Sequence, residues 1–267
     1  MTPDHSTPTL ITLLTDFGNT DYYVAAVKGT LLRLAPGVTV VDLSHEVPPG
    51  AIDTGAFLLA AAAPTFPPGT LHLAVVDPGV GSERRILAVE TPGARYVGPD
   101  NGLLTPALVQ PGARAYAVDR PDLYLSGPGK TFHGRDRFAP VAAALANGEP
   151  ATALGAEIHD AVRLEAPPPE RRDGVLTGRV VHIDRFGNLV TDIPSAWVDG
   201  SLAGAEVRGP ASGGVARRRV THYGAIPPGE PAVLPGSLGT EELSLPGQSL
   251  AKHWGITIGA QVRMYLR

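Results

Sequence analysis

The chain has no cysteine. Disulfides, thiolate metal sites and a thiol nucleophile are therefore excluded. It has no surplus of basic residues either, with 22 Lys and Arg against 26 Asp and Glu and a formal net charge of -4. A sequence-independent nucleic-acid binder carries a basic stripe, so no nucleic-acid partner is expected. No apolar run reaches the roughly 18 residues that a membrane helix needs. The opening MTPDHSTPTL has neither the basic region nor the apolar core of a signal peptide. A soluble, cytoplasmic protein without a membrane partner is the expectation. Also missing are a G-x-G-x-x-G loop, a G-x-S-x-G elbow, and the H-x-H and H-E-x-x-H metal patterns. Neither a bound metal nor a phosphate-binding cofactor is expected.

What the chain does have is punctuation: 32 Gly and 27 Pro, set in pairs between apolar segments. From Leu10 to Leu164 short apolar runs alternate with segments of helical spacing. TLITLLTD, VTVVDLS and TLHLAVVD read as strands, DYYVAAVKGTLLRLAP and AIDTGAFLLAAAAPTF as helices between them. RILAVET, RYVGPD and RAYAVD read as further strands, followed by the alanine-rich helix DRFAPVAAALANG. The rhythm implies an α/β fold, a three-layer α/β/α domain with a largely parallel sheet, over residues 1–164. EAPPPERRDG, residues 165–174, packs three prolines among charges and reads as a linker. Over 175–267 the helical rhythm nearly vanishes. GVLTGRVVHIDRFGNLVTDIP, AEVRG, RRRVTHYGAI, PAVLPGS, EELSLPG and AQVRMYLR suggest a small antiparallel β-barrel.

Ligands of open α/β sheets lie beyond the carboxyl ends of the strands. Three of the expected strands finish on or near aspartate: Asp16, Asp42 and Asp77. Each is also an ordinary turn former or helix cap, so the pattern alone leaves both roles open. In TDFGNTDYY, Gly18 permits a tight turn, Asn19 and Thr20 can cap the next helix, and Asp21 falls in its first turn. Acidic Asp16 and Asp21 would repel a pyrophosphate; they suit a ribose diol or an ammonium group. VVDPGVGSERR, residues 75–85, runs from a buried strand through Asp77 and a Pro-Gly turn to Arg84 and Arg85. It reads either as a polar loop capping a strand or as a site loop, with Arg85 facing solvent. TFHGRDRF holds His133 between aromatic residues, where it can serve as acid, base or orienting group or simply as a satisfied core histidine. In IDRFGNLVTDI, Phe186 can stack on a base and Asn188 can read an adenine edge. A hairpin turn with Asn188 in a left-handed position fits the same letters.

Taken together, LLTDFGNTDYYVAAVKG, VVDLSHEVPPGAIDTGAFLL, VVDPGVGSERR, GPDNGLL, TFHGRDRFAP and IDRFGNLVTDI follow one another in an order and spacing that resembles a known family. The chain is identified as similar to the S-adenosyl-L-methionine (SAM) hydrolases that form adenosine, the SAM hydroxide adenosyltransferases, which are related to SAM-dependent fluorinase and chlorinase. The resemblance spans nearly the whole chain. It implies an α/β domain followed by a β-barrel, in a homotrimer whose sites lie where one subunit's large domain meets a neighbour's small one. It implies a reaction in which water or hydroxide attacks ribose C5′ of SAM, yielding adenosine and L-methionine, with no cofactor. It implies Asp77, Arg84 and His133 as the water-handling triad, Asp16 on the ribose diol, and Asp21 and Asp184 near the methionine amino group. Asn188 and the backbone of Gly247 match the adenine contacts and Ser237 a carboxylate contact; Phe132 and Phe186 complete the substrate-binding set. LPGSLGTEELSLPG departs from the pattern, with Pro246 where Asn is common. Halogenating relatives carry an uncharged residue in place of the triad aspartate, so Asp77 with His133 favours hydrolysis over halogenation. A non-catalytic SAM or adenosine sensor is the alternative from another class.

Overall fold

The computed structural model describes residues 9–126, 131–198, 202–209 and 212–267. The first eight residues, read above for a signal peptide, lie outside the described residues. The chain forms two compact units, residues 1–165 and 166–267.

The first unit runs β1 (Leu10–Thr15), α1 (Tyr23–Leu34), β2 (Thr39–Ser44), α2 (Ile52–Ala62), β3 (Leu71–Val75), β4 (Ile86–Glu90), β5 (Arg95–Pro99), α3 (Thr105–Leu108), β6 (Arg114–Val118), α4 (Ala139–Ala146) and β7 (Gly155–Ile158). Its seven strands form one sheet in the order β2-β1-β3-β5-β4-β6-β7. The β2-β1-β3-β5 part is parallel and carries the crossover helices. From β5 through β4, β6 and β7 the pairing is antiparallel; a short turn joins β4 to β5, while α3 and α4 lie in the connections that lead to β6 and β7. Alternation along the strands decides which helix each residue meets. Ile11, Leu13, Leu73 and Val75 pack with Val24, Val27 and Leu31 of α1 and the buried alanines of α4. Leu14, Ala74 and Val76 pack on the other face with Leu59 of α2, Leu104 just ahead of α3 and Leu108 at its end. The result is the three-layer arrangement. Helix α1 starts two residues later than its sequence suggests: neither Asn19 nor Thr20 caps it, the N-cap position is Tyr22, and no acid lies in its first turn. Asn19 instead donates from Nδ2 to Glu46 Oε1 at 2.7 Å.

Two histidines near strand ends are consumed by the core. His45 Nδ1 pairs with Thr15 Oγ1 at 2.8 Å and His72 Nδ1 with Thr12 Oγ1 at 2.7 Å. Burial lowers the pKa of His72 from 6.5 to about 4, so it is neutral in the fold. Between those two values the unfolded chain binds the proton that the folded chain refuses. Stability is therefore complete above the unfolded value and is lost as pH falls towards the folded one, by about 3 kcal/mol for this group. Urea unfolding from pH 7 down to pH 4 (about the range bracketed by the two values) should show a shallower loss in His72→Gln than in wild type. An unchanged slope would exclude His72 as its source.

The second unit comprises β8 (Glu170–Arg172), β9 (Val175–Ile183), β10 (Leu189–Pro194), β11 (Leu202–Arg208), β12 (Gly213–Ala216), β13 (Ala232–Pro235), β14 (Thr240–Ser244), α5 (Leu250–Trp254) and β15 (Gln261–Leu266). Seven of its strands pair antiparallel in the order β12-β11-β15-β9-β10-β14-β13, and β8 adds to β9. Residues 170–172 of the segment read as linker thus belong to the sheet. The expected strand RRRVTHYGAI does not form as such: its second half is a tight helical turn, Tyr223–Ala225. Its first half closes the sheet. Val220 N donates to Val233 O at 2.9 Å and Val233 N to Arg218 O at 3.0 Å, so the chain just beyond edge strand β12 bonds to edge strand β13. Arg219 forks onto Glu241, which has no solvent exposure, fastening the closure. Alternate residues Leu176, Val180, Val207, Val233, Leu243, Val262 and Met264 fill the barrel-like interior.

Candidate active site

Beyond the carboxyl ends of β1 and β3 three loops converge. Asp16, just past β1, accepts from Gly50 N at 2.8 Å, and Gly18 N bonds to His45 O at 2.8 Å. Gly50 packs against Pro78, which follows Asp77. Asn101 of GPDNGLL holds the end of β3 by donating to Val76 O at 2.9 Å. Asp42 does not join this edge group: it lies inside β2 and accepts from Lys28 Nζ at 2.6 Å.

The loop after β3 folds back on itself. Val80 N bonds to Asp77 O, and Ser82 bonds to Gly79 O through both its N–H and its hydroxyl. This reversal returns Arg84 to Asp77. Arg84 Nε donates to Asp77 Oδ1 at 2.7 Å, and Nη2 donates to Asp77 Oδ2 and, at 2.9 Å, to His133 Nδ1. The Arg84 guanidinium also lies over the Phe138 ring, 5.0 Å from its centre. His133 enters from the start of a wide π-helical turn, Gly134–Phe138, that leads into α4. Arg85 does not face solvent as expected; it donates to Asp100 at 2.7 Å and to Asp160 at 2.9 Å, anchoring the loop's far end.

One consequence concerns the tautomer of His133. An arginine has no acceptor, so Nδ1 must accept and, in the neutral ring, the proton sits on Nε2. Burial, with the nearby Arg137 and Arg84, lowers the pKa of His133 below its ordinary value, which keeps the ring neutral. His133 Nε2 and Arg84 Nη1 are both buried without a hydrogen-bond partner among the described residues. Each thus leaves a donor free for a lone-pair-bearing oxygen.

Around this triad stand the other expected residues of the first unit. Asp21 is exposed in the turn ahead of α1. Phe132 touches the rings of Phe17, Tyr22 and Tyr23.

In the second unit, Asp184 builds the turn that carries its neighbours. Its Oδ1 accepts from Phe186 N and Asn188 N at 2.9 and 2.8 Å, and its Oδ2 from Asn188 Nδ2 at 2.8 Å. The left-handed residue is Gly187 (φ 84°), so Asn188 does not fill that role. Phe186 is left 76% exposed at the tip, whereas Asn188 is buried. Both line a cavity of about 630 Å³ together with Asp184, Tyr223, Ser244, Pro246 and Gly247. Ser237 is not among its lining residues; it is exposed on the β13-β14 turn. Tyr223 was not expected here. Its only signal was an aromatic in a stretch read as strand, and its placement depends on Glu242, to which its hydroxyl donates at 2.5 Å. A β-carbon on Gly187 would lie 2.0 Å from Ser249 Oγ and 2.7 Å from its Cα. With the positive φ added, Gly187→Ala should destabilise the protein by on the order of 3 kcal/mol in urea unfolding. A loss below about 1 kcal/mol would mean that the turn relaxes freely.

A layered α/β unit with an Asp-Arg-His triad beyond its third strand, followed by a nearly closed antiparallel barrel bearing an Asp-x-Phe-Gly-Asn turn, defines a two-part architecture. The chain belongs to the SAM hydroxide adenosyltransferase family, whose N-terminal domain matches residues 11–155 and whose C-terminal domain matches residues 178–263. Among its relatives, the (R)-S-adenosyl-L-methionine hydrolase of Thermus thermophilus is 42% identical over 259 residues, 94% of this chain and 97% of that protein. A fluorinase of an Actinoplanes species is 33% identical over 212 residues, 69% of this chain and 71% of the fluorinase. The crystal structure of an uncharacterized conserved protein from Thermotoga maritima aligns with a TM-score of 0.86 at 30% identity, covering 96% of this chain and 100% of that one.

Proposed function

We propose that this protein hydrolyses S-adenosyl-L-methionine to adenosine and L-methionine. The observation that carries the reading is the Asp77-Arg84-His133 triad with its two spare donors. The triad orients the nucleophilic oxygen through one of these donors, and Asp77, whose carboxylate is set by the guanidinium, takes the proton. The oxygen forms a bond to C5′, the C5′–S bond breaks, and its electron pair stays on sulfur. The sulfonium is already an activated leaving group, so positioning of water supplies the catalysis and no cofactor is called for. A halide would have to settle beside the Asp77 carboxylate, which is unfavourable in a buried site.

Asp16 takes the ribose diol with the oxygen that does not face Gly50. Asp21 and Asp184 take the methionine amino group and Ser237 its carboxylate. Phe132 lines the reacting end. Phe186 stacks on the adenine, whose edge is read by the Asn188 amide and the Gly247 backbone. Residues 1–164 are the α/β domain and the β-barrel domain follows, with its sheet beginning at β8 rather than at residue 175. In the assembly, a cytoplasmic homotrimer, a neighbour's small domain completes the site on each large one, as in the family the chain resembles. No helix among the described residues is long and apolar enough to cross a membrane.

Purified protein incubated with SAM should release adenosine and methionine in equal amounts, followed by chromatography. SAM recovered bound and intact at high protein concentration would instead identify a sensor.

A further inference from the structure

We infer that the aromatic cluster of Phe17, Tyr22, Tyr23 and Phe132 binds the sulfonium of the substrate and distinguishes it from neutral thioethers. This rests on the hydrolase reading above. Tyr22 is 63% exposed and Tyr23 39% exposed, on rings that have buried surface nearby to join. Tyr22 and Tyr23 lie 4.8 Å apart, Tyr23 stands edge-on to Phe132 at 5.2 Å, and Phe17 reaches Tyr23 and Phe132 at 6.2 and 6.0 Å. Gly134 makes room for this: a β-carbon there would sit 3.0 Å from the Phe17 ring. The cluster already accepts one cation, since Arg135 lies 4.9 Å from the Phe132 centre while its charge is balanced by Asp136.

The position in the chain supplies the rest. Phe17 follows Asp16, Tyr22 follows Asp21, and Phe132 precedes His133. In an in-line displacement sulfur leaves on the side of C5′ away from the oxygen, between the ribose assigned to Asp16 and the methionine amino group assigned to Asp21, and so beside the rings that follow these two carboxylates. A sulfonium has no N–H or O–H to donate, so carboxylates cannot hydrogen-bond it, whereas aromatic faces attract a compact cation through their quadrupole. The attraction fades as the C5′–S bond breaks and sulfur becomes neutral. It therefore favours bound substrate over transition state and product, tightening SAM binding while opposing kcat and letting methionine leave.

The test is calorimetric titration of SAM and of S-adenosylhomocysteine, its neutral thioether analogue, into Asp77→Asn protein, which should bind with little turnover. Replacing both tyrosines (Tyr22→Leu with Tyr23→Leu) should weaken SAM about 5- to 30-fold and the thioether less than about 3-fold. Tyr22→Phe with Tyr23→Phe, which keeps the rings, should retain the discrimination. In the turnover-competent protein the Leu pair should raise KM and raise kcat. If the Leu pair does not fold, Tyr22→Leu alone carries the same comparison, its ring being mostly in solvent. Equal losses for both ligands would overturn the inference, as would a Phe pair behaving like the Leu pair. A changed subunit count with both affinities intact would assign the tyrosines to contact between copies of the chain and overturn it too. Wild type that hydrolyses SAM yet binds both ligands equally would refute the cluster and leave the hydrolase reading standing. SAM bound and never cleaved would refute that reading and leave the discrimination measurable.

Discussion

Asp77→Asn is expected to lower kcat by about a thousandfold while changing SAM affinity by less than about threefold. The substitution preserves shape and one acceptor but removes the charge against which Arg84 is set. In wild type the two carboxylate oxygens accept from Nε and Nη2 of one guanidinium, and the same Nη2 fixes His133 through Nδ1. An amide in place of the carboxylate presents an NH2 to one of those donors. The guanidinium must turn away, Nδ1 loses its donor, and the triad no longer holds the oxygen in position. The proton acceptor is lost as well. None of these groups is assigned to hold adenine, ribose or the methionine end, so binding should survive. Product formation gives kcat and calorimetry gives affinity. Equal losses in both would show that Asp77 is a binding residue.

Removing the arginine acts on the fold as well as on the chemistry. The side chains of Arg84 and Asp77 are only 9% and 5% exposed. Breaking a buried pair leaves a carboxylate in a poorly solvated site, and Arg84→Met is expected to cost about 3 to 5 kcal/mol in urea unfolding. The loss includes the guanidinium's seat over Phe138. Asp77→Asn combined with Arg84→Met removes the stranded charge, so the double variant should be more stable than Arg84→Met alone by about 1 to 3 kcal/mol. Turnover should be lost in both. If Arg84→Met costs under about 1 kcal/mol and the double variant gains nothing, water reaches the carboxylate and the pair is not a buried one.

The strands that flank the triad are legible because each is a short apolar run ended by turn residues, and alternation assigns its two faces without further information. That Arg84 comes back to Asp77 is legible too: seven residues containing Pro78, Gly79 and Gly81 permit little but a reversal. The antiparallel half of the first sheet is less so. RILAVET and RAYAVD look alike whichever way they pair, and direction is decided by what lies between them. The closure of the barrel through Arg218–Val220 and the arrival of Tyr223 at the cavity are set by pairing with β13 and by Glu242, contacts remote in sequence that no local pattern encodes. Arg85 escapes for the same reason, since its partners Asp100 and Asp160 lie 15 and 75 residues away. The absence of a side-chain cap on α1 reflects competition: Asn19 had two uses, and Glu46 took it.

Hydrolysis in heavy-oxygen water, with the mass of each product read by spectrometry, tests the central claim most directly. Attack of water on C5′ places the heavy atom in the 5′-hydroxyl of adenosine and none in methionine. Unlabelled adenosine, or label in the methionine, would contradict the account.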